Sequence, residues 1–514
     1  MACLPFLHII PKHFIFGIKI EKHYLNLYFS INTINSFTFA MNSIKLSLLI
    51  ILFALTGITY SNAAGKPLGY DIKVHIKGLK HADTVFLARY YADKRFYQDT
   101  ALVDTKGFVS FADTTHLKEG MYFLLMPGLK IFDFILNPSM LSFSINEADP
   151  VKSAQFKNSP DNTAFYAYQN FFLSQKEKAD TLSAQFKTVS PAKKTELTKQ
   201  LSTIDSIMLA YILNFIQTNP TNLFAAILKT SKDVDVPPAP KRADGTIDST
   251  WQYHYYKKHY FDNVDFADDR LIRTQVLVPK VESYFKNLVV PRSDSLIKEI
   301  DMVLTKCKSS PDLFEYFVRD YTYKYETSQV MGLDAVFVHL GKEYYMKGKC
   351  PWATPATVAK ITERVQLLDP LLLGKKAPNL YMTDTSGTYR YLYDVNAKYT
   401  ILFFWDSQCG HCQQETPKLY EWWLKNRSTG IQVYAADIER KDDEWLKFIR
   451  SKKIGGWLNV RDSKNHTDFK ITYDIYATPV LYVLDKDKII IAKRIGYENL
   501  DDFLIQYEKT LKNK

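Results

Sequence analysis

Residues 401–417 read ILFFWDSQCGHCQQETP, an apolar run, a short turn and two cysteines separated by two residues. Several chemistries use paired cysteines, and the surrounding residues separate them. A zinc ribbon takes four ligands, usually as two Cys pairs. The other cysteines after Met41 are Cys307 and Cys350, and neither has a partner at knuckle spacing. Haem attachment needs a His directly after the second Cys, and that residue is Gln413. A peroxidatic site needs one activated Cys preceded by Pro and Thr, and FFWDSQC has neither. What remains is a redox dithiol on a strand-to-helix turn. Cys409 at a helix start gains from the unpaired N–H groups and the helix dipole, which stabilise a thiolate. Cys412, one turn later, lies on the same side and can attack a mixed disulfide.

Outward from this stretch, residues 374–514 alternate strand and helix patterns. YTILFFW reads as a buried strand and HCQQETPKLYEWWLKN as a helix. IQVYAADI is a strand, KDDEWLKFIRSKK a helix, PVLYVLD and KIIIAKRIG a hairpin, and NLDDFLIQYEKTLK a closing helix. Such alternation predicts an α/β sheet with mixed strand directions. Gly374-Lys375-Lys376-Ala377-Pro378 reads as a linker before it.

These residues carry a family resemblance. Trp405, Cys409-Gly410-His411-Cys412, Glu415, Pro417 within the first helix, and YDIYATPVLYVLD resemble the TlpA/ResA-like class of envelope thiol–disulfide oxidoreductases. The resemblance implies a thioredoxin fold, with a cis Thr478-Pro479 beside a redox disulfide formed by Cys409 and Cys412. It assigns nucleophilic attack to Cys409, resolution to Cys412 and proton handling to Glu415. Trp405, His411, Thr478 and Pro479 become supporting or substrate-binding residues. One departure stands out: Phe403 occupies the place of the buried Asp of cytoplasmic thioredoxins. The Gly410-His411 pair resembles that of protein disulfide isomerase, about 90 mV or roughly 4 kcal/mol more oxidising than thioredoxin. The resemblance as a whole points instead to reduction or exchange of disulfides. No metal and no organic cofactor is expected.

The remainder of the chain has two other textures. Residues 66–150 hold short strands such as YDIKVHIKGL, where Ile72, Val74 and Ile76 alternate with polar residues. They predict a β-sandwich-like domain, in which His75 is a solvated strand residue. Residues 160–370 carry apolar residues at three- and four-residue steps and predict a helical domain. Pro237, Pro238, Pro240 and Asp244-Gly245 mark a loop within it. His254 and His259 lie five apart, the wrong spacing for ligands on one helical face. Both regions resemble domains of unknown function that precede thioredoxin domains in Gram-negative envelope proteins.

The 514 residues are 46% hydrophobic and 24% charged, with a formal net charge of +11. No long Lys/Arg block accompanies that charge, so a nucleic-acid partner is not expected. Lys45, the apolar core Leu46–Leu55 and Ser61-Asn62-Ala63-Ala64 have the layout of a secretory signal peptide over residues 41–64. Residues 1–40 then read as an over-long start. The expected location is the periplasm or cell envelope of a Gram-negative bacterium. The expected partners are disulfide-containing envelope proteins and a membrane or periplasmic thiol reductase. In such a compartment Cys307 and Cys350 could pair, closing a loop worth on the order of 4 kcal/mol, or remain two buried thiols. Sequence also leaves open a binding or scaffolding protein with a vestigial dithiol, and a peroxiredoxin-like peroxidase.

Overall fold

A computed structural model describes residues 69–137, 140–185, 190–438, 442–462 and 466–512. The expected over-long start and signal peptide lie outside these residues. The chain divides into two units. One comprises residues up to Val264 together with Arg273–Leu277, the other Asp265–Ile272 and Val278–Lys514.

The first unit begins with eight strands: β1 (Tyr70–Lys77), β2 (Thr84–Tyr91), β3 (Lys94–Leu102), β4 (Phe108–Asp113), β5 (Gly120–Met126), β6 (Lys130–Leu136), β7 (Met140–Asn146) and β8 (Gln155–Lys157). They form two four-stranded sheets, ordered β4-β1-β7-β8 and β3-β2-β5-β6. Strand period sets the faces. Ile72, Val74 and Ile76 of β1 are fully buried, while His75 between them stacks on Phe108 at 4.6 Å. The short α1 (Pro150–Ser153) precedes β8, and the helices α2 (Pro160–Gln185), α3 (Pro191–Thr218), α4 (Leu223–Ser231) and α5 (Trp251–His259) follow it. Buried Asn162 of α2 receives the Ile135 N–H at 2.8 Å and donates to the Ile135 carbonyl at 2.7 Å, fastening the helix to β6. The Pro-rich stretch after α4 is a loop, as its composition predicts.

The second unit carries the helices α7 (Ser293–Lys306), α8 (Pro311–Glu326), α9 (Asp334–Leu340) and α10 (Pro355–Leu368), preceded by α6 (Leu277–Leu288). The helices expected over 160–370 thus divide between the units. Local periodicity reports a helix but not the surface that receives it: Asn162 commits α2 to a β-sheet, and α10 has its partner further along the chain. Cys307 and Cys350 are buried free thiols, not a disulfide. Burial pushes them up to about 12 and about 11 respectively.

A seven-stranded sheet completes this unit. Its strands are β9 (Tyr381–Asp384), β10 (Tyr389–Tyr391), β11 (Tyr399–Trp405), β12 (Ile431–Asp437), β13 (Leu458–Arg461), β14 (Val480–Asp485) and β15 (Ile490–Lys493). They lie in the order β10-β9-β13-β12-β11-β14-β15. β11 runs parallel to β12 and antiparallel to β14. Every residue of β11 is buried, as expected of a central strand covered on both faces. Ile401, Phe403 and Trp405 enter one core and Leu402 and Phe404 the other. The helices α11 (Gly410–Asn426), α12 (Asp442–Lys452), α13 (Phe469–Tyr473) and α14 (Leu500–Lys512) complete the layers.

Residues 374–378 are not a free linker. The Gly374 N–H donates to the Ile490 carbonyl, the Ile490 N–H to the Lys375 carbonyl and the Ala377 N–H to the Lys488 carbonyl, each at 2.8 Å. Gly and Lys suggested an exposed connector, but Ala377 is fully buried. Ile490 at the start of β15 and Lys488 in the turn before it supply the backbone partners, which residue type cannot reveal.

Candidate active site

β11 ends at Trp405 and the chain turns once before α11. The turn is built by Asp406, whose carboxylate accepts the Gln408 N–H at 2.7 Å and whose carbonyl accepts the Cys409 N–H at 3.2 Å. Cys409 is the N-cap of α11, with extended backbone, and its carbonyl accepts the first helical bond from the Gln413 N–H at 3.0 Å. The N–H groups that follow it lack intrahelical acceptors. Pro417 lies inside the helix, where it lacks a donor for the helical ladder.

The two thiols are unlike. Cys409 is partly exposed and Cys412 is fully buried. Burial by itself would raise the Cys409 thiol. Hydrogen bonds from the Cys412 N–H, the Thr478 side chain, the Cys412 thiol and the His411 N–H outweigh it and hold Cys409 below its ordinary 9.0. Burial pushes Cys412 up to about 12, and negative charge on Cys409 acts in the same direction. The Cys412 sulfur accepts the Asp406 N–H at 3.4 Å.

Opposite the dithiol lies the turn before β14. The Thr478–Pro479 peptide bond is cis, and the Cys409 thiol donates to the Thr478 carbonyl at 3.4 Å. Beside this turn opens a cleft of about 490 Å³. Phe403, Glu415, Leu419, Thr478, Pro479 and Val480 are among its lining residues. Glu415 is about one-third exposed and accepts from Lys418 Nζ at 3.0 Å. Trp405 is fully buried with its ring 5.0 Å from Phe448, in the core that also holds Cys412. It lies under the site rather than along the cleft. His411 is exposed beside Cys409 and adds its backbone N–H to that sulfur. The structure therefore brings Cys409, Cys412, Thr478 and Pro479 together, with Glu415 on the adjoining wall.

Sequence reasoning did not find Gln329, Arg364, Asp474 and Arg494, which also line the cleft. Asp474 stands five residues before Pro479 in the quoted YDIYATPV stretch. Nothing in its spacing announces the two guanidinium groups that meet it.

A dithiol at the start of the helix that follows the buried strand β11, faced by a Thr-Pro turn, defines a thioredoxin-like thiol–disulfide oxidoreductase domain. The model of the AhpC/TSA family matches residues 373–493, the C-terminal domain. A second model, described only as a domain of unknown function (DUF5106), matches residues 229–369. The thiol–disulfide oxidoreductase ResA of Bacillus cereus is 28% identical over 139 residues, covering 26% of this chain and 79% of that protein. Among solved structures, a domain described as a possible thiol-disulfide isomerase from Cytophaga hutchinsonii is 92% identical. It covers 28% of this chain and 99% of its own, with a TM-score of 0.28. A thioredoxin-like protein from Bacteroides caccae is 21% identical, covers 53% of this chain and 99% of its own, and has a TM-score of 0.40.

Proposed function

We propose that this protein reduces or exchanges disulfides of exported proteins in the cell envelope through Cys409 and Cys412. The observation that carries the reading is the unequal pair: a partly exposed Cys409 at the N-cap of α11, touching the Thr478 carbonyl, and a Cys412 buried one turn further on. The thiolate is the nucleophile in disulfide exchange, so Cys409 attacks first. Its sulfur bonds one sulfur of the substrate disulfide, and the other leaves as a thiolate that takes up a proton. Cys412 then loses its proton and attacks the Cys409 sulfur. The second substrate sulfur leaves and is protonated. The substrate gains two electrons and two protons, and the enzyme is left with a Cys409–Cys412 disulfide. A dithiol reductase of the membrane or periplasm returns it to the reduced form.

Glu415, one helical turn from Cys412, is the group we assign to the Cys412 proton. Thr478 offers its backbone to the incoming chain, and His411 favours the reduced form. Export rests on Lys45, the Leu46–Leu55 core and the small residues through Ala64. Reduction of insulin by the full chain with a dithiol reductant tests the proposal. Turnover that disappears in Cys409→Ser supports it. A wild-type protein that captures partners but reduces none favours a binding or scaffolding role. Turnover with peroxide at a catalytic rate favours a peroxidase.

A further inference from the structure

The cleft beside Thr478–Pro479 is not made by the thioredoxin-like domain alone. Gln329, just after α8, and Arg364, on α10, form part of its wall. Both belong to the helical segment that precedes the sheet, within the same unit. Arg364 also reaches beneath the turn. Its Nη2 donates to Asp474 Oδ2 at 3.1 Å, and Nη1 donates to Oδ1 of the same carboxylate. Arg494, from just after β15, donates to Asp474 Oδ2 at 2.7 Å. The Asp474 side chain is only 2% exposed, whereas Arg364 and Arg494 remain 27% and 44% exposed. A buried carboxylate held by the fork of one guanidinium and a single bond from a second is a rigid junction. It stands at the root of the 474–479 loop, whose far end contacts Cys409.

We infer that the helical segment is part of the substrate site, with Arg364 as a positioning residue and Gln329 as a specificity wall for an extended polypeptide flanking the target disulfide. The inference rests on the disulfide-reductase reading. The cleft suits a peptide better than a small thiol compound. Its volume falls within the roughly 300–1,000 Å³ of ligand pockets, far more than two sulfur atoms and their carbons fill. Its floor at Phe403, Leu419 and Val480 is apolar, fit for side chains beside a cystine. Its rim at Gln329 and Arg364 presents amide and guanidinium donors, fit for peptide carbonyls. Gln329 spends one donor locally, on the Thr327 carbonyl at 3.2 Å, and is otherwise exposed. Attack by Cys409 on a small disulfide needs neither wall.

The test compares two substrates on the full chain: insulin, whose disulfides are carried by polypeptide, and bis(2-hydroxyethyl) disulfide. Arg364→Ala and Gln329→Trp should each lower the ratio of the two kcat/KM values, insulin over small disulfide, by at least tenfold, chiefly through the KM for insulin. Arg364→Lys should restore part of the ratio, since a single ammonium keeps the charge but not the fork. Gln329→Trp leaves the Asp474 junction untouched, so it decides the matter even if Arg364→Ala fails to fold. An unchanged ratio in Gln329→Trp, or equal losses on both substrates in every variant, overturns the inference while leaving the reductase reading standing. A wild-type protein that reduces neither substrate overturns that reading and this inference with it.

Discussion

Phe403 shows what one side chain does to the chemistry around it. In a cytoplasmic thioredoxin a buried Asp at this place handles the proton of the second cysteine. Here an apolar ring, 3% exposed, borders the cleft and packs 6.4 Å from Trp457. Glu415, on the cleft wall, is the carboxylate to which we assign the Cys412 proton. Glu415→Gln is nearly isosteric and keeps a good helix former. It should slow resolution of the mixed disulfide by about 10²- to 10⁴-fold while barely changing the first attack. Stopped-flow kinetics with a model disulfide resolves the two steps, and equal resolution rates for variant and wild type would reduce Glu415 to the ion pair it makes with Lys418. The inequality of the cysteines has its own signature. Alkylation of Cys409 should rise with pH through an inflection below 9.0, because a depressed thiol ionises earlier. Cys412, buried and raised to about 12, should be labelled far more slowly across the same range. Peptide mass mapping after iodoacetamide at stepped pH separates them, and parallel labelling of both cysteines would contradict the assigned roles. For the same reason Cys412→Ser should accumulate mixed disulfides with substrates, whereas Cys409→Ser should accumulate few. Non-reducing gels followed by mass spectrometry read this directly.

At the scale of elements, β11 and α11 were open to sequence reading because each obeys a period. YTILFFW alternates between two cores, and CGHC falls where the strand stops and the helix begins. The role of Arg364 was not readable, because Asp474 lies 110 residues away in sequence. The same holds for Lys493. Its Nζ pairs with Asp334 at the start of α9 and donates to the Leu371 carbonyl at 2.6 Å, although the side chain is only 7% exposed. A lysine at the end of an apolar strand reads as a solvated terminus until its partner is known. Lys493→Met would leave Asp334 without its cation. The expected loss is about 3 kcal/mol, within the range for breaking a buried pair, measured by urea unfolding followed through tryptophan fluorescence. Adding Asp334→Asn should recover part of that loss. No recovery would mean that the carbonyl contact, rather than the ion pair, matters.

At the scale of the molecule, the three textures of the sequence correspond to β-sheets, helices and a thioredoxin-like fold, but the division into units does not follow them. Helices α2–α5 belong with the β-sheets and α7–α10 with the dithiol domain. Composition cannot foretell this, because an apolar helical face fits a sheet or another helix equally well. Export also belongs to this scale. If residues 41–64 are a signal peptide, the protein recovered from an envelope fraction should begin near Ala64. N-terminal sequencing checks it, and peptides from residues 1–40 in that fraction would contradict it. Among the described residues no helix is long and apolar enough to cross a membrane.

The backbone bonds from residues 374–377 to Ile490 of β15 and to Lys488 before it have a mechanical consequence. A tether of loose chain would let the helices and the dithiol domain tumble apart, and a tug on one would be dissipated before it reached the other. Here Gly374 and Lys375 are bonded to Ile490 at the start of the last strand, and Ala377 to Lys488 in the turn before it. β15 is in turn zipped to β14, which starts directly after Pro479. A load applied to α10 therefore has two short routes to the Thr478 carbonyl, one through the Arg364–Asp474 junction and one through this seam. A displacement of α10 would thus be passed to the peptide that touches the sulfur of Cys409.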